Sequence, residues 1–143
     1  MLNINGLCIG DWLSYINRKC RVIHIDDDGT VYAKCRDFSM PRIVKHIDHF
    51  EPIKITREII KPPLNRLKWT DTGVYWVIEI DNYFVEYYPD TGVFIKYTYI
   101  VDENNDYIQH IVLLQNCYYI HELQHAMRLA GLSAREKDII FYE

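Results

Sequence analysis

Apolar and polar residues alternate over short stretches in the first sixty residues, a pattern typical of β-strands joined by tight turns. Residues 21–25 predict one strand, with Ile23 and Ile25 on the same face. Residues 31–35 predict the next strand, and the Asp-Asp-Asp-Gly segment at 26–29 predicts the hairpin turn between them. Further apolar positions continue the pattern at Ile43, Ile47, Phe50 and Ile53.

The second half of the chain carries longer alternating stretches, which predict an antiparallel meander. The alternation begins at Val74, which we place in a strand that ends at Ile80. Residues 83–88 and 93–99 predict two further strands, and the Pro-Asp-Thr-Gly segment between them predicts a type I turn that ends in a glycine bulge. The pattern continues with a polar loop at 102–106 and a fourth strand at 108–114.

A change to helical spacing marks residues 117–130. The apolar residues at this spacing form one stripe: Ile120, Leu123, Ala126, Met127 and Ala130. Asn116 is a suitable cap at the start, Arg128 suits the negative end of the helix dipole, and Gly131 suits the turn that ends a helix. We therefore expect a helix over 117–130, followed by one short strand over 137–142.

The boundary between the two patterns lies at residues 61–72. A helix that starts near Thr56 would be stopped within about two turns by the Lys-Pro-Pro segment at 61–63. We therefore expect an α+β protein with a small β-barrel module over 1–60, a connector over 61–72, and an antiparallel sheet with one C-terminal helix over 73–143. The Gly-Asp-x-Leu opening at 10–13 and the hairpin after it are similar in pattern to SH3-like barrels.

Composition excludes several classes of protein. With 49% apolar and 25% charged residues in 143, the chain is too apolar for disorder. The sequence has no apolar run near the ~20 residues of a membrane span and no secretory signal in its first twenty residues, so we expect no membrane partner and a cytoplasmic location. The four cysteines form no C-x-x-C pair and are expected to be reduced thiols.

Charge is divided unevenly along the chain. Residues 1–70 hold 12 Lys and Arg against 8 Asp and Glu, whereas residues 71–143 hold 4 against 12. The halves therefore carry +4 and −8. A basic half can bind an acidic partner such as a nucleic acid, but +4 is modest for that class, and attraction between the two halves explains the division as well.

The sharpest motif is His-Glu-Leu-Gln-His at 121–125, which matches H-E-x-x-H. On a helix, His121 and His125 face the same way and could bind one zinc ion, with Glu122 as the general base. A catalytic zinc site needs a third protein ligand, and the x-x-G-x-x-H extension is absent after His125. The remaining candidates for that ligand are His110, Glu136, Asp138 and Glu143. On a helical wheel both histidines lie opposite the apolar stripe, which also fits an ordinary surface face or a position under a loop, and we favour this interpretation.

Three weaker signals have simpler explanations. The acidic segment at 26–29 lacks the spacing of a calcium loop and is better explained as a turn. His46, Asp48 and His49 lie in a segment with an extended pattern, which does not favour a shared metal. Four tyrosines of the second module could form a stacking or protein-binding surface, or pack against the helix: Tyr83, Tyr87, Tyr97 and Tyr99.

Three segments resemble a group of small uncharacterised proteins of Bacteroides-type bacteria, their mobile elements and their phages. They are residues 7–13 (LCIGDWL), 50–60 (FEPIKITREII) and 119–132 (YIHELQHAMRLAGL), in the order in which that group has them. Members of the group often carry glutamine at the position of Glu122, and some carry asparagine at the position of His125. The resemblance therefore implies that the helix is an architectural element rather than a zinc site. The chain departs from the group at residues 61–63, where members continue a helix.

These observations lead to one functional expectation and two alternatives. We expect a non-enzymatic accessory protein, encoded by a phage or mobile element, that binds another protein through a sheet edge or the tyrosine surface in the host cytoplasm. Modulation of a host process such as defence extends this expectation. The alternatives are a zinc-dependent hydrolase built on His121, Glu122 and His125, and nucleic-acid binding by the basic first module. Self-association stays open.

Overall fold

The fold is described by a computed structural model, which covers residues 2–35, 42–60, 69–80, 83–103 and 106–132. Within these ranges the chain forms two five-stranded antiparallel sheets and a C-terminal helix. The expected α+β class, with antiparallel strands and one long helix near the C-terminus, is confirmed. The expected connector over 61–72 falls largely outside the described residues, so the division into modules stays a prediction.

The first sheet is built from the short alternating stretches of the N-terminal half. Its strands are β1 (Trp12–Tyr15), β2 (Arg18–Ile25), β3 (Thr30–Cys35), β4 (Ile43–His46) and β5 (Glu51–Pro52). Their spatial order is β4-β3-β2-β1-β5, and a 3-10 helix at Ile47–His49 connects β4 to β5. The turn after β2 places Gly29 at φ +91°, a conformation that favours glycine, as the sequence predicts.

The second sheet is a simple meander. Its strands are β6 (Thr70–Asp71), β7 (Trp76–Ile80), β8 (Tyr83–Tyr88), β9 (Gly92–Glu103) and β10 (Asp106–Cys117). Each strand pairs with the next, in the order β10-β9-β8-β7-β6. Two α-helices, α1 (Arg57–Ile60) and α2 (Ile120–Leu129), and a 3-10 helix at Ile4–Gly6 complete the described fold.

The buried residues form two clusters, one for each sheet. The first lies within the first sheet and contains the predicted apolar residues of β3 together with Ile43, Ile47 and Phe50. The second lies between the second sheet, α1 and α2, and it also takes in Trp12 from β1, which is 1% exposed. The α2 helix therefore contacts β10 on one side and β1 on the other. This position brings the residues of α2 against the start of the first sheet.

Several local predictions were wrong for physical reasons. Val74 lies in a bend before β7 and is 75% exposed, because β7 begins at Trp76 after a turn held by hydrogen bonds between Thr72 and Tyr75. Asp90 has φ +66° at the third position of the 88–91 turn, which is the conformation of a type II turn rather than type I. The predicted polar loop at 102–106 is shorter than expected, because β9 runs to Glu103 and β10 begins at Asp106.

The ends and register of other elements also differ from the sequence prediction. The α2 helix starts at Ile120, since residues up to Cys117 belong to β10, and Asn116 does not cap it. In β2, the register shifts between Val22 and His24, so Ile23 is the extra residue of a β-bulge. The predicted strand over 137–142 lies outside the described residues.

Candidate functional site

Gln124 joins α2 to the backbone at the start of the first sheet. Its side-chain Nε2 donates to the carbonyl oxygen of Gly10 at 3.0 Å, and its Oε1 accepts from the backbone N–H of Trp12 at 2.9 Å. The side chain is fully buried.

Asp11 lies between these two contacts and is also fully buried. Its Oδ2 accepts from the backbone N–H of Cys8 at 2.7 Å. His125 Nε2 lies 2.9 and 2.8 Å from the two carboxylate oxygens, and Arg128 Nη1 lies 3.4 Å from Oδ1. Because a carboxylate only accepts, the imidazole carries a proton on Nε2. The buried charge is thus compensated by hydrogen bonds from one loop and from two residues of α2.

We call Gly10, Asp11, Trp12, Gln124 and His125 the latch. The latch residues come from the two ends of the described chain and meet because α2 lies across β1. Gly10 takes φ +96°, a left-handed conformation that glycine adopts without strain, and this turns the chain just before Asp11. The local sequence thus presents a carboxylate and two main-chain polar groups to one face of the helix.

Glu122 caps the helix instead of facing the latch. Its Oε1 accepts from the backbone N–H of Tyr119 at 3.1 Å and from that of Tyr118 at 3.3 Å. Residue Tyr119 is the N-cap, so Glu122 is the third residue of the helix, the usual position for a glutamate that bonds back to the cap. Its negative charge also suits the positive end of the helix dipole.

His121 lies beside the latch without joining it. The side chain is half-buried, and its Nδ1 is buried with no hydrogen-bond partner among the described residues. Burial lowers the pKa of His121 below its usual value, although the nearby carboxylates of Asp11 and Glu122 act in the opposite direction. The ring lies 5.9 Å from that of His125 and stacks on Tyr119 at 6.0 Å.

His121 and Glu122 line a cleft of about 290 Å³ beside the N-terminal segment. The other lining residues include Leu2, Asn3 and Pro52. The sequence left open whether the two histidines lie on a bare surface or under a loop. The structure places both half-buried: His121 lines the cleft beside the N-terminal segment, and His125 contacts Asp11, just before β1.

The predicted third zinc ligands are not brought to the histidines by any described contact. Glu136, Asp138 and Glu143 lie outside the described residues, as does the side chain of His110. A metal held by His121 and His125 therefore stays a prediction. Sequence reasoning missed Cys8 and Asp11, whose donor atoms lie with that of His125 within 4.8 Å of one another.

The acidic segment at 26–29 and the histidines at 46 and 49, the weaker candidates for a metal site, make local contacts in the described structure. Asp28 Oδ1 accepts from the N–H of Thr30 at 2.9 Å, and this hydrogen bond is the main cause that lowers the pKa of Asp28. His46 Nδ1 lies 3.1 Å from Asp48, and His49 is exposed. Within the described ranges, His46, Asp48 and His49 do not form a three-ligand cluster.

The tyrosines of the second sheet divide between its two faces. Tyr87 is 5% exposed in the core beneath α2, and Tyr83 lies 5.0 Å from Tyr97 on that face. On the opposite face, Tyr88 stacks on Tyr75 at 4.8 Å and meets Phe94 edge-on at 5.6 Å. The side chain of Tyr99 lies outside the described part. Of the four tyrosines that the sequence singled out, Tyr87 packs in the core, whereas Tyr83 and Tyr97 are half-buried, as are the rings of the opposite face.

Comparisons with protein-family models, with curated proteins and with solved structures find no match for this chain. Among the helices of the described ranges, none is long and apolar enough to cross a membrane.

Proposed function

We propose that this chain is a non-enzymatic accessory protein that binds another protein through the outer aromatic surface, which we define as Tyr75, Tyr88 and Phe94. The observation that carries the proposal is the contact among these three rings on the sheet face opposite α2, where Tyr75 stacks on Tyr88 and Phe94 meets Tyr88 edge-on. Neither of the two buried clusters that the described residues form includes them.

The register of the sheet explains why these rings share a face. Val85 pairs with Ile95 and Tyr87 with Val93, and all four side chains are buried toward α2. Because successive side chains of a strand point to opposite faces, Tyr88 and Phe94 point away from the helix. Both are half-buried, as is Tyr75. Aromatic side chains in such a position are enriched at protein interfaces, because they bury much area with little loss of conformational freedom.

An ion pair fixes the middle of this surface. Lys96 Nζ lies 2.6 Å from Glu86 Oε2, which also accepts from the hydroxyl of Tyr88 at 3.1 Å. The hydrogen bond to Glu86 is the main cause that raises the pKa of Lys96. The ring of Tyr88 is therefore held from two sides and is preorganised for contact.

The partner that this surface fits is a protein with an apolar patch and a basic rim. The second half of the chain carries −8, which disfavours a phosphate backbone and favours a positively charged surface. An origin in a phage or mobile element, with a role in modulating a host process, is the setting that the sequence resemblance implies for such a protein.

The arrangement of the first sheet supports an SH3-like module as part of this proposal. Its first strand is flanked by the second and the last strand, and a short 3-10 helix precedes the last strand. Such pairing curls a short meander toward a small barrel. Small barrels of this kind carry many different binding sites, so the fold does not identify the partner.

The hydrolase alternative has less support from the geometry. Glu122, its general base, is engaged by two main-chain donors at the helix start, and His125 is engaged by Asp11. Nucleic-acid binding by the first module is supported only by the modest +4 charge of its half of the chain.

Quantitative affinity capture from the native host cells tests the proposal. The wild-type protein is compared with the double variant Tyr75→Ser/Tyr88→Ser and with Tyr118→Ser, a matched control at a tyrosine that is 47% exposed elsewhere. We expect a defined protein to be captured by wild type and control and to be lost with the double variant, with direct binding then measured on the purified pair. Equal capture by all three proteins would contradict the proposal.

A further inference from the structure

The N-terminal loop and α2 bring together three side chains of the kinds that bind zinc. The donor atoms of Cys8, Asp11 and His125 all lie within 4.8 Å of one another. This set differs from the H-E-x-x-H set, because it uses one histidine of the motif and two residues more than a hundred positions away in the sequence. We propose that Cys8, Asp11 and His125 bind a zinc ion that fastens the N-terminal loop to α2.

The chemistry of the donors selects the metal class. A thiolate, an imidazole and a carboxylate form a borderline-soft set that suits zinc, whereas calcium and magnesium prefer oxygen ligands alone. The two anionic donors neutralise the charge of one divalent ion. Three protein ligands leave the fourth tetrahedral position to water.

The geometry needs little change to accept the ion. His125 Nε2 lies 2.8 Å from Asp11 Oδ2, and the proton on Nε2 would leave when the ion binds. Donors around one tetrahedral zinc lie about 3.5 Å apart, so this pair opens slightly and the Cys8 side chain rotates inward. Cys8 is exposed and free to do so, and the buried Asp11 is already fixed by the backbone N–H of Cys8.

Arg128 would act on the site from outside the ligand set. Its Nη1 lies 3.4 Å from Asp11 Oδ1, while Cys8 N donates to the other oxygen. Hydrogen bonds of this kind orient a ligating carboxylate and are a common feature around metal ligands. The guanidinium also prevents Asp11 from carrying uncompensated charge when no ion is bound.

Metal titration of the chelator-treated full chain tests the proposal. Zinc binding is measured by calorimetry, and cobalt(II) replaces zinc in a second titration because a thiolate ligand gives it a charge-transfer absorption. We expect one zinc per wild-type chain, binding weakened at least about tenfold in Cys8→Ser and in His125→Ala, and no thiolate absorption in Cys8→Ser. His121→Ala is the matched control and should bind as wild type does.

The exposed position of Cys8 keeps the test valid if His125→Ala fails to fold. Absence of stoichiometric zinc in the wild type would overturn the proposal, as would wild-type affinity in Cys8→Ser. Loss of binding in His121→Ala with retention in Cys8→Ser would also overturn it and would assign the metal to the H-E-x-x-H pair. None of these outcomes bears on the outer aromatic surface, which lies on the second sheet.

Discussion

Asp11 and His125 are 114 positions apart in the sequence, and the imidazole of His125 lies 2.8 Å from the buried carboxylate of Asp11. This contact shows how the most conspicuous motif of the sequence is used in the fold. Gln124 and His125 hold the start of the first sheet, and Glu122 caps the helix that carries them. Glu122, Gln124 and His125 of the segment at 121–125 therefore each have a structural role in the fold.

Replacement of Gln124 by leucine should destabilise the protein. The leucine side chain is of similar size but leaves the N–H of Trp12 and the carbonyl of Gly10 buried without their partner. We expect the free energy of unfolding to fall by about 2–3 kcal/mol, measured by urea denaturation. Leu129→Ala, at a helix position that is 85% exposed, is the control and should change it by less than about 0.5 kcal/mol. An unchanged midpoint for Gln124→Leu would contradict the latch.

Replacement of Glu122 tests its role as a cap. Glu122→Ala removes the acceptor for two N–H groups at the helix start and should lower the free energy of unfolding by about 1 kcal/mol. Glu122→Gln keeps an oxygen acceptor and should lose about half as much, because only the interaction of the charge with the helix dipole disappears. Thermal unfolding followed by circular dichroism measures both, with Glu51→Ala at an exposed strand position as control. Equal stability of Glu122→Ala and wild type would show that the cap contributes nothing.

The four cysteines should differ sharply in reactivity toward an alkylating reagent at pH 8. Cys8 is exposed, whereas the other three are buried. Burial raises the pKa of Cys117 to about 12, and burial together with the neighbouring Cys35 raises that of Cys20 to about 12. The thiolate is the reactive form, so these two thiols stay protonated and slow in the folded protein.

Peptide mapping by mass spectrometry after timed labelling checks this expectation. One fast site at Cys8 is expected in the native, chelator-treated protein, with all four sites fast in denaturant and the fast site lost in Cys8→Ser. Fast labelling of Cys117 in the native state would show that the core beneath α2 opens readily, contrary to the packing described here.

The strand β3, the turn before it and the helix α2 were predictable, because each depends on a sequence pattern within the element itself. The alternation in residues 31–35 identified a strand whose apolar residues are buried, and the acidic segment at 26–29 identified its turn. The helical spacing over 117–130 identified α2 and its apolar stripe, although the helix begins only at Ile120. In each case, hydrophobic periodicity or turn chemistry within about ten residues determines the outcome.

The latch was not predictable, because it depends on where β1 meets α2. No local pattern pairs Asp11 with His125, and the sequence alone offered a zinc ligand or, as the favoured interpretation, a histidine on a surface face or under a loop. One signal was present: Gln124 lies four residues after Ile120 and three before Met127, among the buried positions of the stripe. A polar residue at such a position must bond to another buried polar group. The partners become known only from the tertiary structure.

Errors at the ends of elements have a similar origin. Val74 continued the alternation of β7, but the turn at 72–75 takes it out of the strand. The longer hairpin of β9 and β10 depends on pairing between two strands, which overrides the polar character of residues such as Asp102 and Asp106. Pairing between β9 and β10 thus extends both strands into residues whose polar composition predicts a loop.

A double-mutant cycle between Asp11 and His125 tests the latch most directly. Asp11→Ala, His125→Ala and the double variant are unfolded in urea with a chelator present, so that only the direct interaction contributes. The pair of His46 and Asp48, with side chains 48% and 64% exposed, provides a matched histidine–aspartate control cycle. We expect a coupling energy of about 1–3 kcal/mol for the buried pair and about 0–0.5 kcal/mol for the exposed pair. A buried-pair coupling no larger than that of the exposed pair would contradict the assignment of residues 121–125 to fastening α2 onto the first sheet.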